Sequence, residues 1–262
     1  MTDLERLAAA CESFVAGRTA ADPAHDLSHI KRVVNNALYL ADIEGCEKLI
    51  VLPAAWLHDC VQVPKDSPNR AQVSRLAADE AVRFLDSLDY PASVLDAVHH
   101  AVAAHSFSAG IPVESTEAGV VQDADRLDAL GAIGIARCLL TGGALGSGIY
   151  HPDDPFGEDR VLDDKAWMVD HFFTKLFKLP ATMQTGAGRA EAERRVTQMR
   201  TFLEELGREV TPPQSLKRSA TDLRPAFPTR DGLRLVFERH GGLALAVGLQ
   251  PGDVRPGVVA RR

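Results

Sequence analysis

Six of the nine histidines lie between residues 25 and 105, and several of them are candidates for metal coordination. Imidazole is the commonest metal ligand in proteins, and imidazoles on different helices can meet where those helices face each other. A single histidine on a helix is more often a surface or core residue than a ligand. The density of the group nevertheless indicates a metal site between helices, drawn from His25, His29, His58, His99, His100 and His105.

The dipeptide His58-Asp59 stands out because of its position. It follows the apolar segment 54–57, so we expect it at the end of a buried helix. A charged aspartate is rarely buried there unless it is paired or bound to a metal. Chance alone supplies about one His-Asp pair in a chain of this composition, and His25-Asp26 is a second one. The setting, rather than the dipeptide itself, makes His58 and Asp59 candidate ligands.

Three aspartates, Asp123, Asp125 and Asp128, interrupt an otherwise apolar helical segment. Asp125 and Asp128 are three residues apart and share one helix face, whereas Asp123 points elsewhere. The simpler interpretation is a solvated acidic face that pairs with Arg126. The alternative is that a carboxylate of this segment joins the histidines at a metal ion.

The elements that would position these residues are helices. Apolar residues recur with a helical period throughout residues 1–210, and runs of alternating β-branched residues bounded by hairpin turns are nearly absent. We therefore predict an all-α body whose loops, at 61–69, 106–115 and 141–162, gather the chemistry. The predicted helices cover 4–17, 24–45, 49–60, 70–88, 91–105, 116–140 (stopped by Gly142-Gly143), 163–178 and 188–208.

Charge divides the chain near residue 210. Residues 1–210 carry 20 basic and 32 acidic side chains, a net of −12, whereas residues 211–262 carry 9 basic and 4 acidic ones, a net of +5. The last 52 residues also hold 6 of the 15 prolines. This joint shift in charge and in helix-breaking residues predicts a domain boundary. We expect a basic C-terminal extension of little regular structure after it.

The composition excludes several classes of protein. An apolar fraction of 45% is too high for a disordered chain, and no uninterrupted apolar run approaches the roughly 18 residues of a membrane span. Charged residues among the first 20 argue against a secretory signal, and four scattered cysteines without CxxC pairs indicate reduced thiols. We therefore expect a cytoplasmic protein, and its net acidity argues against nucleic acid as a partner.

The order of the histidine and aspartate motifs resembles that of the HD-domain superfamily of metal-dependent phosphohydrolases, which is H…HD…D. The matching segments are His29-x-x-Arg32-Val33, His58-Asp59 and Ala124-Asp125-Arg126-Leu127. The resemblance covers about residues 1–208. It implies an HD-domain helical bundle for residues 1–210, with a core at about 20–140 and a helical completion at 160–208.

The resemblance also implies which residues hold the metal. The family pattern assigns one divalent ion to two imidazoles and two carboxylates, those of His29, His58, Asp59 and Asp125. His25 is the rival of His29, which is preferred because the family's first ligand precedes an Arg-Val step by three residues. Asp123 and Asp128 are the rivals of Asp125, which is preferred for its Ala and Arg neighbours. This mixed shell suits Mn²⁺, Fe²⁺, Co²⁺, Ni²⁺ or Zn²⁺, with Mg²⁺ as a substitute.

Hydrolysis of a phosphoester needs an activated water, neutralised phosphate charge and help for the leaving group. We expect a small phosphorylated substrate, such as a nucleotide. Asp59 or Asp128 would orient or deprotonate a water whose pKa the metal lowers, and His105 would protonate the leaving oxygen. The predicted substrate contacts are Arg32 and Lys65 first, followed by His100, Lys165 and Lys175.

Two other functions stay open at this point. A di-iron oxygenase of the same fold would use His100 and His105 to hold a second metal. A non-catalytic sensor or interaction module would use the basic extension to bind a partner. A homo-oligomer is compatible with the sequence, and a membrane is not an expected partner.

Overall fold

The structure is a computed structural model that describes residues 2–18, 26–61, 72–106 and 109–210. Within these ranges it contains nine α-helices and one complete 3-10 helix, and its β-structure is a single bridge between Gly148 and Trp167. The predicted all-α body is therefore confirmed. In chain order the helices are α1 (Asp3–Ala16), α2 (Leu27–Glu44), α3 (Lys48–Leu57), α4 (Val73–Asp86), α5 (Ala92–Ala104), α6 (Thr116–Leu127), α7 (Gly131–Leu145), α8 (Met168–Thr174), the 3-10 helix Leu176–Thr182 and α9 (Gly186–Val210).

Helix α3 forms the centre of the bundle. Its last seven residues, 51–57, are all buried, and it packs against α1, α2, α5 and α6. Pro53 lies inside this helix and lacks the N–H that would bond to the Leu49 carbonyl. The Tyr90 hydroxyl donates to that carbonyl instead, at 2.7 Å. The proline is accommodated without an unpaired buried carbonyl, and α3 can deliver His58 to the centre of the fold.

The predicted single helix at 116–140 is wrong, because this segment belongs to two helices, α6 and α7, bent by 60°. The break falls at residues 128–130. Gly131 follows it with a φ of 72°, a left-handed conformation that glycine adopts without strain. Gly142-Gly143 does not stop the helix, which continues to Leu145 and is capped by Gly146. The break places Asp128 at the end of α6, where it contacts α2.

The predicted helix at 163–178 is also shorter than expected, since only Met168–Thr174 is α-helical and a 3-10 turn follows. The preceding loop is held by the buried carboxylate of Asp170. Arg160 donates to both of its oxygens at 2.6 Å, and the Asp163 backbone N–H donates at 2.7 Å. The charged side chains of Arg160 and Asp170 therefore serve to hold this loop in place.

Helix α9 closes the bundle against α6, α7 and the 3-10 helix. The buried Asp123 anchors its N-terminus by accepting hydrogen bonds from the backbone N–H groups of Gln184 and Thr185, both at 2.8 Å. Arg126 donates to the Thr182 carbonyl. The solvated acidic face considered for this segment is therefore not what forms, because Asp123 and Arg126 fix the chain between the 3-10 helix and α9.

No single helix in the described ranges is both long and apolar enough to cross a membrane. Helices α6 and α7 meet the length and composition of a span only when taken together, across their 60° bend. Three of the predictions, those on His25, Lys65 and the extension 211–262, lie outside the described residues.

Candidate metal centre

Histidine 29 is held at the start of α2 from two directions. The backbone N–H of His29 donates at 2.8 Å to the side chain of Asp26, which caps the helix. The His29 ring is 1% exposed, and its Nδ1 lies 2.7 Å from Oδ2 of Asp128. Because an ionised carboxylate only accepts, Nδ1 carries the proton. The other nitrogen, Nε2, lies 3.5 Å from Asp125.

His58 and His105 are each positioned by the same kind of hydrogen bond to their own helix. Each stands just after the last residue of its helix, α3 or α5, and each Nδ1 donates to the carbonyl three residues earlier. The distances are 2.8 Å from His58 to Ala55 and 2.6 Å from His105 to Val102. These bonds satisfy carbonyls of the last helical turn and place a proton on Nδ1 of each ring, so that Nε2 is the atom that each ring presents to the centre.

The three rings and two carboxylates converge. Nε2 of His58 lies 3.5 Å from Oδ2 of Asp59 and 3.9 Å from Oδ1 of Asp125, and Nε2 of His105 lies 3.5 Å from Oδ1 of Asp59. One ligand atom each from His29, His58 and Asp125 falls within 4.8 Å of the others. Three of the four predicted metal residues are thus brought to one place, and the fourth, Asp59, lies beside them next to His58.

The donor set fits a divalent metal ion. His58 is fully buried, and its Nε2 has no hydrogen-bond partner within the described ranges. A buried polar atom left without a partner is costly unless a ligand satisfies it. The side chains of Asp59 and Asp125 are 23% and 32% exposed, so the centre has an open side. Neutral imidazoles with carboxylates form a shell for a transition metal.

The charges of the centre follow from burial and neighbours. Burial opposes ionisation of Asp59, but the adjacent His58 and His105 outweigh it and lower the pKa of that carboxyl well below its usual range. Burial lowers the pKa of His58, which favours the neutral ring that a metal requires. Burial also opposes a charge on His105, but its Asp59 neighbour raises the pKa of His105 overall.

Asp128 stands behind the ligands. It is 1% exposed and accepts hydrogen bonds from Arg32 at 2.6 and 3.0 Å and from Arg137 at 2.8 Å, besides His29. Burial opposes its ionisation, but the bonds from His29 and Arg32 lower the pKa of Asp128 well below its usual range. A carboxylate engaged by three donors is suited to orient His29. A carboxylate held in this way does not fit the role of base that was predicted for Asp128. The guanidinium of Arg32, which was predicted to contact substrate, is bonded to Asp128 instead.

Arg137 is a site residue that the sequence reasoning missed. It comes from α7, beyond the unpredicted break, and its Nη1 also donates to the Asp128 carbonyl at 3.1 Å. A signal was available, because Arg137 is the only charged residue in α7. A lone arginine in an apolar helix usually has a buried partner.

The remaining predicted substrate contacts do not join the centre. His100 accepts a hydrogen bond from the Glu114 backbone N–H at 3.1 Å, so its Nε2 is used to hold a loop. Lys165 and Lys175 are exposed on either side of α8, whose main contacts are with α7 and the 3-10 helix. Their substrate roles, like that of Lys65, stay predictions.

Comparison with known proteins follows the same residues. Residues 26–130 match the family model described as HD domain, a range that contains the four candidate ligands, His105 and Asp128 but not Arg137. The chain is 35% identical over 191 residues to the YpgQ protein of Bacillus subtilis (strain 168), covering 71% of this chain and 84% of that one.

Solved structures show the same likeness. Bacillus subtilis YpgQ in complex with ADP superposes with a TM-score of 0.60 at 32% identity, covering 77% of this chain and 97% of that one. An HD-superfamily hydrolase from Bacillus thuringiensis gives a TM-score of 0.60 at 32% identity, with coverage of 79% and 95%. A likeness that spans most of both chains shows that this protein belongs to the HD domain superfamily, whose members bind divalent metals.

Proposed function

We propose that the protein is a metal-dependent phosphohydrolase that cleaves an ester or anhydride bond of a small phosphorylated compound, in particular a nucleotide. The observation that carries the proposal is the buried Nε2 of His58, which faces two carboxylates and lacks a hydrogen-bond partner within the described ranges. The ADP complex of the similar YpgQ protein supports a nucleotide as the substrate class.

His29, His58, Asp59 and Asp125 would hold one divalent ion. When bound, the ion supplies Lewis acidity, which lowers the pKa of a water and polarises a phosphoryl oxygen. The chain orients this shell through Asp128 on His29 and through the Ala55 carbonyl on His58. Such outer contacts fix ring orientation and tautomer. The identity of the metal is proposed only as a class, Mn, Fe, Co, Ni or Zn.

The side chains around the shell would orient the water, protonate the leaving oxygen and contact phosphate. Asp59 is ionised and partly exposed, so it can orient a water molecule at the open side. His105 lies 3.5 Å from Asp59, which raises the pKa of the imidazole and favours its protonated form. A protonated His105 can give its Nε2 proton to the leaving oxygen. Lys65 is proposed to contact phosphate.

The experiment is a product assay on the purified full chain with a panel of nucleoside mono-, di- and triphosphates. We expect one or more members to release phosphate or pyrophosphate with Mn²⁺ or Co²⁺ and none to do so after EDTA treatment. Asp59→Asn should abolish the release, whereas Asp79→Asn, exposed on α4, should preserve it. A metal-loaded protein that cleaves nothing in the panel would overturn the proposal.

A second metal, as in the di-iron alternative, has less support. His100 was the second histidine available for it, and its Nε2 already accepts the Glu114 N–H. We therefore expect one ion per chain by elemental analysis, and two irons would favour the oxygenase.

A finer resemblance, to the bacterial protein YedJ through motifs such as segments 103–109 and 174–185, stays a prediction.

A further inference from the structure

A cavity of about 510 Å³ lies beside the metal centre, along the same helix. Gln122 and Arg126 of α6 line it, one turn before Asp125 and one residue after it, together with Ser106, which follows His105. Segments 110–113 and 181–184 complete the lining. A volume of this size accommodates a small organic ligand. Residues of this lining therefore adjoin residues of the centre along the chain, both on α6 and just after α5.

Both lining segments are tied down. Segment 110–113 runs into Glu114, whose N–H is held by His100 at 3.1 Å. Segment 181–184 is held by Arg126 at the Thr182 carbonyl and by Asp123 at the Gln184 N–H, the latter at 2.8 Å. Hydrogen bonds with buried or half-buried side chains therefore fix both lining segments and maintain the shape of the cavity.

Gln122 is the residue that indicates what the cavity binds. The side chain is 4% exposed, and its Nε2 donates to the Ala104 carbonyl at 2.7 Å. Because a carbonyl only accepts, this bond fixes which end of the amide is nitrogen. The remaining atom, Oε1, has no hydrogen-bond partner in the part of the chain that the structure describes. A buried acceptor in this state is suited to a ligand that brings an N–H group.

We propose that this cavity is the subsite for the base of a nucleotide, and that Gln122 Oε1 accepts a hydrogen bond from an amino or ring N–H of that base. The proposal rests on the proposed function for placing the phosphate at the metal centre. The apolar side chains of Ile111, Val113 and Met183 suit a flat heterocycle. The guanidinium of Arg126 disfavours a cationic ligand and can donate to a ring nitrogen or carbonyl.

The test measures equilibrium binding of nucleosides, which carry no phosphate, to the metal-loaded full chain. Adenosine, guanosine, cytidine and uridine are each compared with purine riboside, whose base has neither an amino group nor a ring N–H. We expect the best natural nucleoside to bind about 10-fold tighter than purine riboside, as one lost hydrogen bond implies. Gln122→Leu should remove that difference, and the matched control Gln198→Leu, exposed on α9, should retain it.

The comparison on the wild-type chain does not depend on whether Gln122→Leu folds. Equal binding of purine riboside and the natural nucleosides, or no binding of any nucleoside, would overturn the inference. A nucleoside preference that depends on Gln122, in a protein that cleaves no nucleotide, would support this subsite and overturn the proposed hydrolase function. The two failures are therefore distinguishable.

Discussion

The histidines of the centre are fixed by two kinds of contact. His58 and His105 bond to backbone carbonyls of their own helices, so local sequence is enough to orient them. His29 depends on Asp128, a side chain 99 residues away. The ligand types could therefore be read from the sequence, whereas the orientation of His29 could not. That orientation requires the break between α6 and α7 at residues 128–130 and the arginines that neutralise Asp128.

Asp128 is predicted to act through His29. In Asp128→Asn the uncharged amide no longer matches the donors of His29, Arg32 and Arg137. We expect the affinity for Mn²⁺ to fall by about 10- to 100-fold, as is usual when an outer contact of a metal ligand is lost. Calorimetric titration of Mn²⁺ into the metal-free full chain measures it.

The control for this titration is Asp96→Asn, which removes an exposed carboxylate from α5. It should leave the affinity within error of the wild-type value. An Asp128→Asn chain that also binds Mn²⁺ with wild-type affinity would show that Asp128 does not support the centre.

At the scale of elements, α7 packs through glycine. Its buried residues are Gly131, Gly134 and Gly142, whereas apolar side chains such as Ile133 and Leu140 are exposed. The glycines allow close approach to neighbouring segments. Helical periodicity predicted that this region is helical, but it could not reveal the break or the glycine face. A helix that is apolar on nearly every side does not show from its sequence which face is buried.

Two alanine substitutions in α7 should have opposite effects. A Cβ at Gly134 would collide with the Ala129 carbonyl oxygen, whereas a Cβ at Gly143 meets nothing within 4 Å. We expect Gly134→Ala to lower the free energy of unfolding by about 1–3 kcal/mol. Gly143→Ala, in an exposed helical position, should raise it by about 0.5–1 kcal/mol. Urea unfolding followed by circular dichroism measures both, and equal effects would contradict this packing.

Helix α9 is joined to the bundle by charged side chains. Arg195 donates to Glu191, to the Leu127 carbonyl and to Asn36, linking α9 with α6 and α2. The hydrogen bond from Arg194 is the largest influence on Glu191 and, with Arg195, lowers the pKa of this carboxyl from 4.5 to about 2. The bonds from Arg195 to Leu127 and Asn36 could not be predicted from the sequence, since these partners lie 68 and 159 residues away along the chain.

Glu191 makes stability depend on pH. A carboxyl with a lowered pKa in the folded state stabilises it fully above about pH 4.5, and this contribution is lost as the pH falls towards 2. We expect Glu191→Gln to reduce the slope of unfolding free energy against pH in this window. Glu193→Gln, exposed on the same helix, is the control. Urea unfolding between pH 2.5 and 5 measures the slopes, and an unchanged slope in Glu191→Gln would contradict the contact.

For the molecule as a whole, sequence and structure agree on the centre more closely than on what surrounds it. The H…HD…D order identified residues whose atoms converge within 4.8 Å for His29, His58 and Asp125. The adjacent cavity was not predicted, since its lining comes from segments whose packing depends on the ends of α6 and α9. Residues 211–262 carry a net charge of +5, and their role as a basic extension of the acidic body stays a prediction.

The most direct test of the account is the rate of Mn²⁺-dependent nucleotide hydrolysis by His58→Ala. His58 is buried and contributes only its Nε2 to the centre, because Nδ1 is bonded to Ala55. His99→Ala is the control, since His99 pairs with Asp79 at 3.0 Å on the surface. We predict that His58→Ala falls to the rate of the EDTA-treated protein and that His99→Ala keeps the wild-type rate. A folded His58→Ala chain that hydrolyses the nucleotide at the wild-type rate would contradict the account.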